Sequence, residues 1–295
     1  MTDLIYRTYD QADLDTQLNL RARWPDFQSH FDRWAEDSAA ARGSLSARLD
    51  LRYGDTPGQT LDLFAAQGDG RPAPLMAFIH GGYWQALDKG DFSYLAPAFV
   101  QAGIAYASLN YDLAPGATLA EMVRQVRAAL AWLYREADRQ GLDRDRLHVS
   151  GHSAGGHLSA ALMTTDWARD HDLPQDVVKS GCALSGIYDL EPIRLSYHQA
   201  VVALDPETVA AYSPIHHLPR QAGALLCAVG SEETAEFLTQ QEEFVAAWRA
   251  AGLSVQTVPL PGRTHFTAVD ALGEPDHPLF VAVRDRILGP EPTGG

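Results

Sequence analysis

Short apolar runs alternate along the chain with longer stretches in which apolar residues recur at helical spacing. The runs have the length of buried strands, and the longer stretches have the period of amphipathic helices. The predicted elements are strands at 75–79, 104–109, 146–150 and 224–229, and helices at 92–102, 119–140 and 156–165. Parallel strands joined through helices need right-handed crossovers. The pattern therefore predicts an α/β fold with a mostly parallel central sheet flanked by helices.

Three further segments alternate apolar and polar residues in the manner of strands, at 44–53, 60–66 and 254–259. The first two flank a turn-forming segment at 54–59, which contains Gly, Asp, Thr and Pro. We therefore expect an antiparallel hairpin at one edge of the sheet.

The length of 295 residues is enough for one α/β domain, and we expect residues 1–295 to form a single unit. Residues 1–43 show helical spacing, and residues 188–220 are punctuated by prolines; both fall outside the core alternation. We interpret 1–43 as an N-terminal helical cap segment and 188–220 as an inserted cap segment.

A serine lies between glycines where a strand-like run meets a helical one, in Gly151-His152-Ser153-Ala154-Gly155. This spacing is typical of a nucleophile elbow, in which a strained turn exposes the serine hydroxyl above the sheet. The helix that begins there directs free N–H groups toward negative charge beside the serine. Ser153 is thus the candidate nucleophile, and the N–H of Ala154 is a candidate oxyanion donor.

A second signature follows the strand at 75–79, where His80 precedes two glycines and a tyrosine. Loops at this position supply oxyanion donors in serine hydrolases of the α/β class, and we assign that role to Gly81, Gly82 and Tyr83. His80 is expected to fix the loop by hydrogen bonding rather than to act as the base. The segment 111–115, which follows the end of the next strand, is expected to shape the rim of the site.

The general base should follow the serine in chain order. His265 comes directly after the strand at 254–259 and is our candidate, while His157 is expected to pack beneath the site. The adjacent pair His216-His217 lacks a third ligand at metal-binding spacing, so no metal site is expected.

The acid that orients the histidine should lie in the loop after the strand at 224–229. This loop contains glutamates and no aspartate, and we choose Glu233, with Glu232 as the fallback. Asp189 is a competing acid, although capping of the segment that follows it is the favoured role. Glu236 fits a charged first helical turn.

Aromatic side chains near these motifs are candidates for the substrate site. Tyr83, Trp84 and Tyr188 are assigned to substrate binding, with His152 beside the nucleophile, and Tyr197 could extend the same wall. Each aromatic side chain could equally belong to the core.

Three motifs together resemble the kynurenine formamidase (arylformamidase) family: His-Gly-Gly-Tyr-Trp at 80–84, Gly-His-Ser-Ala-Gly-Gly-His at 151–157, and Ser-Gly-Ile-Tyr-Asp-Leu at 185–190. The resemblance runs from about residue 49 to the end, and the wider kinship is with the hormone-sensitive-lipase-like esterases. It implies the α/β-hydrolase fold.

The resemblance also implies a triad of Ser153, His265 and an acid. Glu233 stands where the family usually carries aspartate. The implied reaction is hydrolysis of an aryl formamide such as N-formylkynurenine, in tryptophan catabolism, without a cofactor. The alternative is a carboxylesterase acting on short-chain acyl esters.

Composition narrows the possible partners. The formal net charge of −15 argues against nucleic acid and against anionic membrane surfaces, so a small-molecule substrate is expected. No apolar run is long enough to span a bilayer and no signal peptide is apparent, which predicts a cytoplasmic protein. Cys182 and Cys227 fall in separate apolar strands and are expected to be buried thiols. A homodimer is a possible assembly.

Overall fold

The elements of the chain follow the predicted alternation of strands and helices. The structure is a computed structural model, and it describes residues 3–68 and 70–289. The strands are β1 (Ala47–Arg52), β2 (Thr60–Phe64), β3 (Ala73–Ile79), β4 (Ala105–Leu109), β5 (Leu142–His152), β6 (Val178–Leu184), β7 (Ala224–Ala228) and β8 (Val255–Thr257).

These strands form one eight-stranded sheet in the order β1-β2-β4-β3-β5-β6-β7-β8. β1 pairs antiparallel with β2, and β2 with β4, which confirms the hairpin at the sheet edge. The other neighbours are all parallel. Because the carboxyl ends of parallel strands meet at one edge, the loops after β3, β5, β6 and β7 converge there.

Helices cover the sheet and supply the segments outside it. They are α1 (Gln11–Leu18), α2 (Leu20–Arg23), α3 (Phe27–Ser44), α4 (Ala96–Gln101), α5 (Leu119–Arg135), α6 (Ala137–Gln140), α7 (Ala154–Met163), α8 (Trp167–His171), α9 (Glu191–Leu195), α10 (Gln199–Val202), α11 (Pro206–Tyr212), α12 (Ala235–Ala250), α13 (His265–Ala268) and α14 (Pro278–Leu288). Short 3₁₀ helices span Lys89–Leu95, Pro214–His216 and Val269–Leu272. None of the helices within residues 3–68 and 70–289 is long and apolar enough to cross a membrane.

Two predicted helices differ from the observed ones. The stretch at 92–102 is a 3₁₀ helix followed by α4, and Pro97 lies in the first turn of α4. Proline lacks an N–H donor and is tolerated in an α-helix mainly in its first turn, so α4 begins there. The stretch at 119–140 divides at Glu136 into α5 and α6, and Gly141 ends α6 with φ 74°.

The centre of the sheet is the core of the protein. Residues 74–79 of β3 are all buried, and α5 packs a long apolar stripe from Leu119 to Leu133. Cys182 and Cys227 are buried free thiols, as expected. The continuous burial of β3 explains why its sequence reads as an unbroken apolar run.

One carboxylate ties the N-terminal helices to the rest of the molecule. Asp270 accepts hydrogen bonds from Arg33 Nη2 at 2.7 Å, Trp34 Nε1 at 3.1 Å and Tyr94 Oη at 2.9 Å. Arg33 and Trp34 belong to α3, and Tyr94 lies in the 3₁₀ helix after β3. Asp270 therefore holds α3 in place through polar contacts at a partly buried position.

Asp270→Ala is expected to lower the free energy of unfolding by about 2–4 kcal/mol, because three donors lose an ionised acceptor. Urea unfolding followed by tryptophan fluorescence measures the change. The matched control is Asp276→Ala at an exposed position, which should stay within about 0.5 kcal/mol of the parent. Equal stability of the two variants would show that Asp270 does not anchor α3.

Glu236 lies in the first turn of α12 as expected, but it is buried rather than solvated. Its Oε1 accepts from Gln240 Nε2 at 2.9 Å, and Arg7 Nε lies 3.6 Å from its Oε2. Arg7 is itself bound to Glu243, with 2.6 Å between Nη2 and Oε2. Burial raises the pKa of Glu236 to about 7 despite the nearby cation. The N-terminal residues cover this position, which the helical spacing of α12 does not reveal.

Because the folded-state pKa of Glu236 lies above its unfolded value of 4.5, the folded protein loses stability as pH rises from about 4.5 to 7. Glu236→Gln, which stays neutral, should be more stable than the parent by about 2–3 kcal/mol at pH 8.5 and by much less at pH 5. Urea unfolding at both pH values measures the difference. A gap that does not grow with pH would contradict the raised pKa.

Candidate active site

The predicted nucleophile lies at the junction of β5 and α7. Ser153 has φ 59° and ψ −121°, a conformation rare for a residue with a side chain. Its N–H donates to the Leu184 carbonyl of β6 at 2.9 Å. A Cβ on Gly155 would stand 1.9 Å from the Ile79 carbonyl oxygen, so only glycine allows this approach to β3. The strained elbow expected from the motif is therefore present in the backbone.

The loop after β3 lies directly against the elbow. A Cβ on Gly81 would stand 3.0 Å from the Ser153 Cβ. Gly82, Tyr83 and Trp84 have φ values of 99°, 50° and 57°, a run of left-handed residues that turns the chain sharply. The residues assigned as oxyanion donors thus surround the serine, with Ala154 supplying the first N–H of α7.

His80 stabilises this loop by hydrogen bonding. Its Nδ1 donates to the Gly81 carbonyl at 2.9 Å, and its ring stacks on Tyr111 with 4.4 Å between centroids. Burial lowers the pKa of His80, so the ring is neutral near pH 7. Tyr111 is buried and donates to the His80 carbonyl at 3.0 Å. Within the segment 111–115, the expectation of a rim position is therefore wrong for Tyr111, because its hydroxyl is used inside the protein.

Glu233 and His265 come together although 32 positions separate them. The carboxylate Oε2 of Glu233 lies 2.6 Å from Nδ1 of His265. The other oxygen accepts from the Gly230 N–H at 2.9 Å and from Ser185 Oγ at 2.5 Å. Both side chains of the pair are buried. One carboxylate oxygen is thus fixed by the loop, and the other is left to orient the imidazole.

The alternative acids lie elsewhere. Glu232 is exposed, and its carboxylate accepts from the neighbouring Ser231 Oγ. Asp189 accepts from the N–H of Glu191 at 2.9 Å and from Tyr6 Oη at 3.3 Å, in keeping with the predicted capping role. Of the three candidate acids, Glu233 is the one within hydrogen-bond reach of His265.

Ser185 is a part of the site that the sequence analysis missed. It follows β6 with φ 49° and donates to the Glu233 carboxylate. No local signal marks this role: it follows from the pairing of β6 with β7, which brings Ser185 to the same sheet edge as the loop that contains Glu233.

A cavity of about 370 Å³ opens above Ser153. Half of its lining residues carry aromatic rings, three of which are histidines. Its lining residues are Asn19, Leu20, Arg21, Phe31, Trp34, Gly82, Tyr83, Gln85, Ala86, Leu87, His152, Ser153, Tyr197, His198, His265 and Phe266. Tyr83, His152 and Tyr197 thus lie where the sequence analysis expects them.

Two substrate-binding assignments are wrong. Trp84 and Tyr188 are fully buried and do not line the cavity. The left-handed backbone of Trp84 sends its ring into the core against His157, with 5.2 Å between centroids. Tyr188 stacks on Phe244 of α12 at 4.1 Å. Part of the aromatic wall comes instead from Phe31 and Trp34 of α3, whose contribution no local motif reveals.

His157 and His217 serve structural contacts. His157 is buried below the elbow, as expected, and its Nε2 donates to the Tyr212 carbonyl at 2.8 Å. Nε2 of His217 lies 2.6 Å from the Ala210 carbonyl. Within residues 3–68 and 70–289 no group of three or more His, Cys, Asp or Glu side chains could hold a metal ion.

The fold of this chain is similar to that of solved structures, and part of its sequence matches a family model. A candidate thioesterase from Silicibacter sp. superposes with a TM-score of 0.80 at 29% identity, covering 90% of this chain and 97% of that one. The model of the family described as BD-FAE matches residues 61–194. The parallel sheet with a strained serine after β5 is that of the α/β-hydrolase superfamily, and the predicted fold is confirmed.

Curated relatives give the family. Kynurenine formamidase of Salmo salar is 30% identical over 258 residues, which are 85% of this chain and 86% of the relative. Esterase LipC of Mycobacterium tuberculosis is 32% identical over 238 residues, 74% of this chain and 59% of the relative. The chain belongs to the kynurenine formamidase family, as its motifs suggest, and it is a hydrolase.

Proposed function

We propose that the chain is a serine hydrolase that cleaves an aryl formamide, such as N-formylkynurenine, with Ser153, His265 and Glu233 as its triad. The observation that carries the proposal is the 2.6 Å contact of Glu233 with His265, in the same cavity as the strained Ser153. A carboxylate on Nδ1 leaves Nε2 of the imidazole unprotonated, and this nitrogen is the base.

In the first step Ser153 Oγ attacks the formyl carbonyl carbon while His265 Nε2 takes the hydroxyl proton. The carbonyl oxygen becomes an oxyanion, which the N–H groups of Gly82, Tyr83 or Ala154 stabilise. Glu233 stabilises the imidazolium that forms. Collapse of this intermediate breaks the C–N bond, and the imidazolium gives its proton to the departing arylamine nitrogen. Water then attacks the formyl ester on Ser153 by the same route and releases formate.

The choice of a formamide is supported by family membership and by the shape of the cavity. A formyl group has no side chain, so nearly all the volume is available to the leaving group. The walls near Ser153 include Phe31, Trp34, Tyr83 and Phe266, which suit an aromatic leaving group. Residues of both proposed cap segments, 1–43 and 188–220, contribute to these walls.

A carboxylesterase for short-chain acyl esters is the second candidate. The similarity to esterase LipC favours it, and the same triad would hydrolyse an ester with a better leaving group. The two candidates differ in the leaving group rather than in the catalytic machinery.

The deciding measurement compares kcat/KM for N-formyl-L-kynurenine, p-nitrophenyl acetate and p-nitrophenyl butyrate. We expect a preference for the formamide of about a hundredfold or more, since that leaving group would use the aromatic walls. Ser153→Ala is the control and should lose both activities and labelling by a fluorophosphonate probe. Ester turnover without formamide cleavage would establish the carboxylesterase and reject the formamidase.

Glu233→Gln is expected to lower kcat/KM on the order of 10³–10⁴-fold, because a neutral amide neither fixes the required tautomer nor stabilises the imidazolium. Glu232→Gln is the matched control, one position away and exposed, and should keep nearly full activity. Circular dichroism and urea unfolding establish that both variants fold. Near-normal turnover of folded Glu233→Gln would remove Glu233 from the triad.

A further inference from the structure

The cavity has a charge opposite to that of the protein as a whole. The chain carries a formal net charge of −15, yet the described lining of the cavity includes no aspartate or glutamate. Its one arginine is Arg21, in α2, and the lining includes no lysine. A cavity with this balance favours ligands that present an anionic group to Arg21.

Arg21 is positioned by aromatic rings rather than by a carboxylate. Its guanidinium carbon lies 5.2 Å from the ring centroid of Phe27 and 5.7 Å from that of Phe31. Phe31 also lines the cavity. Among the described residues, no aspartate or glutamate forms an ion pair with Arg21 within 4.0 Å. The rings restrict the side chain and leave its planar N–H donors available to a ligand.

A second donor lies in the same cavity. His198 is 4% exposed, and its ring lies between Tyr83 at 3.8 Å and Tyr197 at 4.1 Å, measured between centroids. Its Nδ1 accepts from Gln85 Nε2 at 3.1 Å, which leaves the proton of the neutral ring on Nε2. The Leu18 carbonyl lies against this ring and favours its protonated form, but the buried Nε2 makes no close hydrogen bond among the described residues.

The side chains of Arg21 and His198 line the same cavity. Burial lowers the pKa of His198 to about 4, so the ring is neutral near pH 7, and the charge of Arg21 contributes to this lowering. The pKa of Tyr197 is raised by burial, and the same guanidinium opposes that rise. Arg21, Tyr197 and His198 all line the cavity, so their side chains face the same space. An N–H donor and a guanidinium that face one space can together bind an oxygen anion.

We propose that Arg21, assisted by the Nε2–H of His198, selects substrates whose leaving group carries a carboxylate. This inference rests on the proposed function, because the proposed reaction places the leaving group between Ser153 and α2. The guanidinium binds the carboxylate, and the formyl carbonyl remains at the oxyanion donors. Arg21 is thus a specificity residue and takes no part in bond making or breaking.

The test compares N-formyl-L-kynurenine with its primary carboxamide, which replaces the carboxylate by a neutral group of similar size. The parent protein should prefer the carboxylate in kcat/KM by about fivefold to tenfold, mainly through KM. Arg21→Gln should reduce this ratio to about one, and Arg21→Lys should keep part of it, since the charge remains without the planar fork. Higher ionic strength should lower the ratio of the parent protein.

Arg23→Gln is the matched control. Arg23 belongs to the same short helix and packs over Trp24, but it does not line the cavity. Arg23→Gln removes the same charge from the protein and should leave the ratio of kcat/KM for the carboxylate over the carboxamide unchanged. An equal loss in both variants would point to the overall field of the protein and overturn the assignment to Arg21.

Binding measured without turnover separates this inference from the proposed function. Calorimetry on Ser153→Ala, with and without Arg21→Gln, gives Kd for the carboxylate and the carboxamide whether or not the formamide is a substrate. A carboxylate preference that disappears with Arg21→Gln supports the inference even if formamide cleavage fails. Equal Kd values for the two ligands in Ser153→Ala would overturn it even if the formamide is cleaved.

Discussion

The contact between the elbow and the end of β3 is the constraint on which the site depends. Gly155 lies so close to the Ile79 carbonyl that no side chain fits, and this packing keeps Ser153 in its left-handed conformation. The same contact sets the distance between the serine and the loop at 80–84. A strained residue persists only where its surroundings hold it. Here the parallel pairing of β3 with β5 supplies that support.

Glu233, the proposed acid, shows how a longer side chain is accommodated. It has one methylene more than the aspartate that the family resemblance leads us to expect, and this methylene adds a rotatable bond. Gly230 and Ser185 bind one carboxylate oxygen, which removes that freedom and directs the other oxygen to His265. Because Ser185 follows β6 and Glu233 follows β7, the pairing of adjacent strands fixes the glutamate. A glutamate at position 233 is therefore compatible with an ordered hydrogen bond to His265.

The cavity wall and the proposed triad come from different parts of the chain. The proposed triad lies in loops of the sheet, whereas part of the wall comes from residues 19–34, which precede the first strand. Asp270 holds this segment in place by accepting hydrogen bonds from Arg33 and Trp34. If the proposed function holds, we expect substitutions in the N-terminal helices to alter substrate preference more than the chemistry at the sheet edge.

Local sequence signals were sufficient for the α/β class, the edge hairpin, the elbow and the loop that follows β3. These features depend on residues close together in the chain. At that range the period of the apolar residues and the spacing of the glycines predict the backbone conformation. Only the tertiary structure distinguished Glu233 from Glu232 and Asp189, revealed Ser185, and moved Trp84 and Tyr188 from the cavity to the core. Those outcomes depend on contacts between residues far apart in the chain, and burial of a particular side chain is decided by what packs over it.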